Sequence, residues 1–142
     1  MTTKVVVAAV DEDTALVVDV VPGQAHDAPH LVPMLERTLE RVPLLDEVVG
    51  DKGFDGDQLR EECLKRDVNP NIPLKGNRNP ERWSWYAEGY RERNRVERLF
   101  CKLKQFRRVA TRYDKLRVTY LGLLHLVLGF IRLRRLTNVN RP

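Results

Sequence analysis

Two segments near the start of the chain are rich in apolar β-branched residues and are separated by a short polar turn. The segments are residues 4–10 and 16–21, and the turn is the acidic run 11–13. Two such runs around a short loop predict an antiparallel β-hairpin. The runs are nearly continuous, which predicts that both faces of the hairpin are covered. Asp19 interrupts the second run, and we expect it at an edge or pointing outward.

Four later segments show the spacing of apolar residues that is typical of amphipathic helices. Their expected starting points are Asp27, Gly56, Glu88 and Lys115. Asp27 is the predicted N-cap of the first helix, with Pro29 in its first turn. The last helix, residues 116–136, is apolar nearly all round in its middle. We expect a buried core helix there, because the apolar stretch is short for a membrane span and His125 interrupts it.

A short strand is predicted at residues 46–50, and Asp51 follows it directly. An acid at the C-terminal end of a strand points into the crevice where α/β sheets bind ligands. We therefore interpret Asp51 as a ligand. Asp55 and Asp57 come shortly before the next helical segment, and we expect them to act as its caps.

The chain then becomes irregular. Residues 68–74 contain two prolines and can form only an edge strand or an extended segment. The polar and basic residues 75–82 predict a loop, which is closed by the aromatic run 83–86. Aromatic side chains beside arginines can stack on unpaired bases, or they can anchor the loop to the domain. We expect the anchoring role.

Charge is distributed unevenly along the chain. The 142 residues carry a net charge of +5, but residues 1–70 have a net charge of −8 and residues 71–142 a net charge of +13. This asymmetry suits a protein that holds cations at one place and phosphates at another. Two solvated surfaces that attract each other would produce the same asymmetry. The length allows one domain with a core, and hardly two.

The two cysteines, Cys63 and Cys101, stand at apolar helical positions and lack the spacing of metal ligands. We expect buried thiols in a reducing compartment.

One carboxylate lies among bases on the third predicted helix, residues 90–106. The apolar positions of this helix form one stripe, and beside the stripe lie Tyr90, Arg93, Glu97 and Lys104. A lone acid in this setting is usually part of a surface salt bridge. The presence of Asp51 in a different setting suggests that the fold brings Asp51 and Glu97 together.

Two carboxylates on separate elements are the ligands that hard divalent cations prefer, together with waters and phosphate oxygens. A metal pair held by Asp51 and Glu97 could activate the attacking oxygen and stabilise the leaving one in a phosphodiester displacement. The bases of the same helix would then contact the backbone phosphates of a nucleic acid. These bases are Arg93, Arg95, Arg98, Lys102 and Lys104.

The spacing Tyr90-x2-Arg93-x3-Glu97-x6-Lys104 resembles the Y-R-E-K signature of DDE transposases from bacterial insertion sequences. The similarity is to the class that includes insertion sequences four and five. Four further segments resemble this group in the same order, namely residues 22–27, 51–55, 104–107 and 110–115.

The resemblance implies an α/β, RNase H-like (retroviral-integrase-like) fold, in which a mixed sheet is flanked by helices. It implies an endonuclease that uses Mg²⁺ or Mn²⁺ to cleave and join DNA at insertion-sequence ends. Asp51 would be the second acid of the catalytic triad and Glu97 the third, and both would bind the metal. The residues that the resemblance and the basic helix assign to DNA contact are Tyr90, Arg93, Arg98, Lys102 and Lys104.

The resemblance also implies partners and a location. The partners are DNA at the transposon ends and at the target, and further copies of the chain in the active complex. They also include an upstream transposase segment or the full-length transposase. The expected location is the bacterial cytoplasm, on the nucleoid and not in a membrane.

The chain departs from the family pattern at its start. The family's first aspartate lies on a strand before the hairpin, so we expect residues 1–112 to be an incomplete catalytic domain that lacks the first strand. Residues 113–142 would form a C-terminal helix packed on it. The chain resembles the product of a second reading frame, or a truncated remnant. Asp11, Asp13 and Asp19 are poor substitutes for the missing acid, because a hairpin tip is a poor place for a ligand aimed at Asp51.

Three other functions stay open at this point. The chain could be a non-catalytic fragment that binds DNA or the full-length transposase as a regulator or remnant. It could be an ordinary RNase H-like nuclease, or a decayed gene product without function.

Overall fold

The computed structural model describes residues 3–26, 28–83 and 85–139. The chain divides into two compact units. The hairpin unit comprises Met1–Gln24 and Asn94–Pro142, and the Asp51 unit comprises Ala25–Arg93. The predicted N-cap Asp27, and Ser84 within the run 83–86, lie outside the described residues.

Strands and helices are mixed along the chain, as the sequence predicts for an α/β protein. In chain order the elements are β1 Thr3–Asp11, β2 Thr14–Pro22, α1 Ala28–Leu39, β3 Glu47–Val49, a 3-10 turn Lys52–Phe54, α2 Asp57–Leu64, β4 Asn69–Asn71, α3 Ala87–Tyr90, α4 Arg93–Lys104, α5 Arg107–Ala110 and α6 Arg117–Val139.

The antiparallel hairpin is confirmed, with Thr3 opposite Pro22 and Asp11 opposite Thr14. Successive residues of a strand point to opposite faces, and both Val17 and Val18 are buried. The prediction that both faces are covered therefore holds for β2, whereas most of β1 is only half-buried. Asp19 is partly exposed, which agrees with the outward position expected for it.

The core of the hairpin unit is formed by one face of α6 against β2 and α4. Leu124, Val127, Leu128 and Ile131 supply the buried face of α6. The prediction of a core helix is confirmed for this face only, because the opposite face is exposed, with Leu126 at 72%. None of the helices in the described ranges has the length and apolar character needed to cross a membrane.

The Asp51 unit contains the second strand pair. β3 and β4 run parallel, with Glu47 opposite Asn69 and Val49 opposite Asn71. They cover a core that α1 and α2 share. We expected the hairpin and these strands to belong to one mixed sheet. The described strands instead form two two-stranded sheets, because β3 and β4 are three residues each and pair as strands only with one another.

The predicted helix over residues 90–106 is divided in two. Tyr90 ends α3, and the amides of Arg91 and Glu92 donate to the carbonyls of Glu88 and Gly89 at 3.2 and 3.1 Å. These i→i+3 bonds form a turn, and α4 begins at Arg93. Tyr90 therefore does not share a continuous helix with the rest of the predicted signature.

Two further local predictions need correction. Gly56 is the N-cap of α2 and Asp57 is its first residue, so neither Asp55 nor Asp57 is a cap. The Asp55 carboxylate is instead bound by a buried arginine. Cys63 is buried as expected, but Cys101 is exposed, because it lies on the side of α4 opposite the buried stripe.

Candidate functional site

Asp51 stands immediately after the parallel strand pair, as the sequence predicts. The amide of Gly50 donates to the carbonyl of Asn71 at 3.4 Å, which ties the end of β3 to β4. The amide of Phe54 donates to the carbonyl of Asp51 at 2.8 Å and closes the 3-10 turn. The Asp51 side chain is 53% exposed. The turn thus holds the backbone while the carboxylate faces solvent.

Two predicted signature residues contact this carboxylate. Arg93 Nη1 donates to Asp51 Oδ1 at 2.5 Å, and the hydroxyl of Tyr90 approaches the same oxygen at 3.4 Å. The Arg93 guanidinium also lies 5.3 Å from the centre of the Tyr90 ring. A charge-assisted bond of this kind orients a carboxylate more strongly than a neutral one. The structure therefore brings Asp51, Tyr90 and Arg93 together.

Asn71 positions the segment that carries Tyr90. Its side chain is fully buried, and its amide oxygen accepts from the backbone amide of Tyr86 at 3.0 Å while its amide nitrogen donates to the Tyr86 carbonyl at 3.1 Å. The Tyr86 hydroxyl in turn bonds to Glu47. Tyr86 is the N-cap residue of α3, so this clamp fixes the start of the helix that ends at Tyr90.

Gly89 is required by the same clamp. A Cβ atom at this position would overlap the Tyr86 ring and lie 2.6 Å from Asn71 Nδ2. Sequence reasoning missed both Asn71 and Gly89. Asn71 stands in a proline-broken edge strand, where hydropathy gives no sign that an amide is buried.

The other end of the turn is held by a buried ion pair. Arg60 Nε donates to Asp55 Oδ1 at 2.9 Å, and both side chains are fully buried. Arg60 Nη2 also donates to the carbonyl of Ile72 at 2.6 Å, and the amide of Lys75 donates to Asp55 Oδ2 at 2.8 Å. Burial acts to raise the pKa of Asp55, but these hydrogen bonds and the charges of Arg60 and Arg78 outweigh it and hold that pKa below its ordinary value.

The aromatic residues after the basic loop act as anchors, as expected. The indole Nε1 of Trp83 donates to Asp57 Oδ1 at 3.0 Å, and Arg60 and Arg82 lie 5.6 and 5.2 Å from its ring centre. Trp85 is 41% exposed and packs edge to face against Tyr90 at 5.7 Å. The aromatic run therefore connects the loop to both ends of the Asp51 turn.

The remaining predicted residues lie on α4 in the hairpin unit. Glu97 and Lys104 are exposed. Arg98 Nη1 lies 2.9 Å from Glu12 Oε2, and Lys102 Nζ lies 2.5 Å from Asp13 Oδ1. Two of the predicted DNA-contacting bases are thus paired with the acidic turn of the hairpin.

The described residues contain no group of three or more His, Cys, Asp or Glu side chains that could hold a metal ion. Asp51 nevertheless fits a magnesium ligand in kind, because Mg²⁺ keeps several waters and takes one or two carboxylates together with substrate phosphates. Arg93 and Tyr90 both contact Oδ1 of Asp51. Ligation through Oδ2 would leave both contacts in place.

Comparison with known proteins adds two findings. Residues 2–129 match the family profile described as "Transposase DDE domain". The chain is 30% identical over 118 residues to a protein of Brucella ovis named "Putative transposase for insertion sequence element IS6501". This similarity covers 80% of the present chain and 84% of that protein. No solved structure matches the chain.

Proposed function

Since this chain belongs to the DDE transposase family and functions in transposition, we propose that it is the part of an insertion-sequence transposase that carries two of the three catalytic carboxylates. In this proposal Asp51 is the second acid and Glu97 the third. The reaction is metal-dependent phosphodiester cleavage and strand transfer at the ends of the element.

The observation that carries the proposal is the cluster around Asp51. Two signature residues meet the Asp51 carboxylate there, with Arg93 at 2.5 Å and Tyr90 at 3.4 Å, although Asp51 lies 39 residues before Tyr90 in the sequence. A surface salt bridge without a function would need neither Tyr90 nor the buried Asn71 side chain, which binds Tyr86 and so positions the segment that carries Tyr90. The cluster is what a carboxylate needs when it must be held in one orientation and remain exposed.

In this proposal two acids bind the metal and two residues orient one of them. Asp51 and Glu97 bind a divalent cation, while Arg93 and Tyr90 orient the Asp51 carboxylate. A bound Mg²⁺ or Mn²⁺ would supply activation of the attacking oxygen and stabilisation of the leaving one. The bases Arg98, Lys102 and Lys104 contact the DNA backbone.

The proposal includes an upstream transposase segment that supplies the first aspartate. In this proposal the acids of the hairpin serve instead in ion pairs within their own unit. Asp11 pairs with Arg135 at 2.7 Å, Asp13 with Lys102 at 2.5 Å and Asp19 with Arg117 at 2.6 Å. With that segment, residues 1–112 would complete an RNase H-like domain, and residues 113–142 would add its C-terminal helix.

The test is a cleavage assay on a duplex that carries an insertion-sequence end, with this chain fused to its upstream segment. We expect Asp51→Asn and Glu97→Gln to lose cleavage in Mg²⁺ and in Mn²⁺ while retaining DNA binding. Asp46→Asn and Glu88→Gln are matched controls at exposed positions and should cleave normally. Cleavage by either active-site variant at the level of the controls would refute the assignment. A fused protein that binds DNA and never cleaves it would favour the non-catalytic fragment.

A further inference from the structure

A cavity of about 440 Å³ opens in the hairpin unit where the ends of α4 and α6 meet the acidic turn. All of its lining residues belong to the hairpin unit, whereas the Asp51 cluster belongs to the Asp51 unit. The residues that line it are Asp13, Lys102, Gln105, Phe106, Ile131, Arg134, Arg135 and Asn138.

The lining has the chemistry of a phosphate-binding site. Three cationic side chains, two amide side chains and one carboxylate line it together with two apolar side chains. Arginine in particular presents several donors in a plane that matches the oxygens of a phosphate. A cavity of this kind selects an anion that accepts several hydrogen bonds at once.

Among the described residues, Arg134 is the cation of this cavity that has no acidic partner. Its guanidinium lies 5.9 Å from the ring centre of Phe130. Within the part of the chain that the structure describes, no carboxylate lies at ion-pair distance from it. An incoming anion can therefore contact Arg134 without displacing a protein group.

The other two cations are bound by the turn of the hairpin. Lys102 Nζ lies 2.5 Å from Asp13 Oδ1, and Arg135 Nη1 lies 2.7 Å from Asp11 Oδ2 and 3.9 Å from Asp13 Oδ2. Burial acts to raise the pKa of Asp11, but bonds from Asp13, Thr14 and Arg135 keep it below its ordinary value. Because the Asp13 carboxylate lies close to both Lys102 and Arg135, it occupies a position that a phosphate oxygen would take.

We propose that this cavity binds a backbone phosphate of a nucleic acid, with Arg134 as the first contact and the Asp13 carboxylate as the group that the phosphate displaces. The inference rests on the proposed function for the source of the phosphate. It adds a binding site on the C-terminal half of α6. The acidic turn then competes with the phosphate for the cationic side chains of the cavity.

The experiment measures binding of the purified chain to a 30-base-pair duplex by fluorescence anisotropy at several salt concentrations. Arg134→Ala is compared with Arg41→Ala, which removes the same charge from an exposed position in the Asp51 unit. We expect Arg134→Ala to weaken binding roughly fivefold and to reduce the slope of log K against log salt by about 0.9, the value for one phosphate contact. Arg41→Ala should leave the slope unchanged.

A second variant tests whether the Asp13 carboxylate competes with the phosphate. Asp13→Asn keeps the size of the side chain and removes its charge, so it should tighten binding of the duplex. It should do so only when Arg134 is present, because both residues act on the same phosphate. The double variant Asp13→Asn with Arg134→Ala should therefore bind no better than Arg134→Ala alone.

A third arm separates a nucleic-acid phosphate from a free one. Inorganic phosphate replaces chloride at constant ionic strength, and it should compete with the duplex more strongly on the wild-type chain than on Arg134→Ala.

If Arg134→Ala and Arg41→Ala bind alike, the cavity is not a DNA contact and the inference fails, while the proposed function stands. If only inorganic phosphate distinguishes the variants, the inference fails in its nucleic-acid form. If the wild-type chain, alone and fused to its upstream segment, shows no DNA binding, both the inference and the proposed function are refuted.

Discussion

The two ends of the turn that follows β3 carry the same chemistry in opposite environments. At one end Arg93 binds Asp51, whose side chain is 53% exposed. At the other end Arg60 binds Asp55, and both side chains are fully buried. The two aspartates are four residues apart and each is paired with an arginine, so residue type and pairing do not distinguish them. Burial does.

Burial changes what each ion pair can do. Water competes with an exposed pair, which contributes between zero and about 1 kcal/mol. Exposure also leaves the carboxylate accessible to other ligands. A buried pair holds the backbone in place, but removing one partner leaves an uncompensated charge and costs about 3–5 kcal/mol. The comparison assigns a structural role to Asp55 and leaves the Asp51 carboxylate accessible, as the proposed function requires.

The largest predicted effect is that of Asp55→Asn. The amide keeps the shape of the side chain and removes the charge that faces Arg60, so the free energy of unfolding should fall by about 3–5 kcal/mol. Urea denaturation followed by tryptophan fluorescence measures it. Asp46→Asn, at an exposed position of the same unit, is the control and should change little.

The pH dependence of this difference provides its second check. The folded-state pKa of Asp55 lies below the ordinary value of 3.8. The stability that the carboxylate contributes is therefore complete above that value and lost as the pH falls through the folded pKa. Asparagine does not titrate, so the gap between wild type and Asp55→Asn should be constant from pH 7 to about 5 and narrow below about 4. A gap that stays constant down to pH 2 would contradict the role of the charge.

The next largest effect is predicted for Gly89→Ala. In an ordinary helix alanine is more stable than glycine by about 1 kcal/mol, but here the added methyl group overlaps the Tyr86 ring and approaches Asn71. Overpacking of this kind costs about 1–3 kcal/mol, so the sign of the usual effect should reverse. Gly76→Ala, where a Cβ atom meets nothing within 4 Å, is the matched control in the same unfolding experiment. Equal stability of the two variants would show that the Asn71 clamp is loose.

Local patterns in the sequence were sufficient for the two strands near Asp51. The apolar run before it predicts β3, and two prolines predict that β4 lies at an edge. The signature spacing selects Tyr90 and Arg93, which the structure places at the Asp51 carboxylate. These features depend on propensity and spacing along a short stretch of chain, which a sequence displays directly.

The supporting contacts could not be found in this way, because each depends on which distant group a side chain meets. An aspartate before a helix is usually a cap, and nothing local indicates that Arg60 will be buried against Asp55. Asn71 is 15 residues from Tyr86, so its clamp exists only in the folded chain. The exposed face of α6 was missed for a related reason. A helix that is apolar all round gives no sign of which side the hairpin will cover.

The smallest predicted effect on stability belongs to Asp51→Asn. Its ion pair with Arg93 is open to water, so the free energy of unfolding should fall by no more than about 1 kcal/mol. The same variant should abolish cleavage in the fused transposase, because the amide is a poor ligand for a hard divalent cation. The measurement pairs urea denaturation of Asp51→Asn and Asp55→Asn with their cleavage rates. If Asp51→Asn costs as much stability as Asp55→Asn, then Asp51 is held for structure as well, and exposure does not distinguish the two ends of the turn.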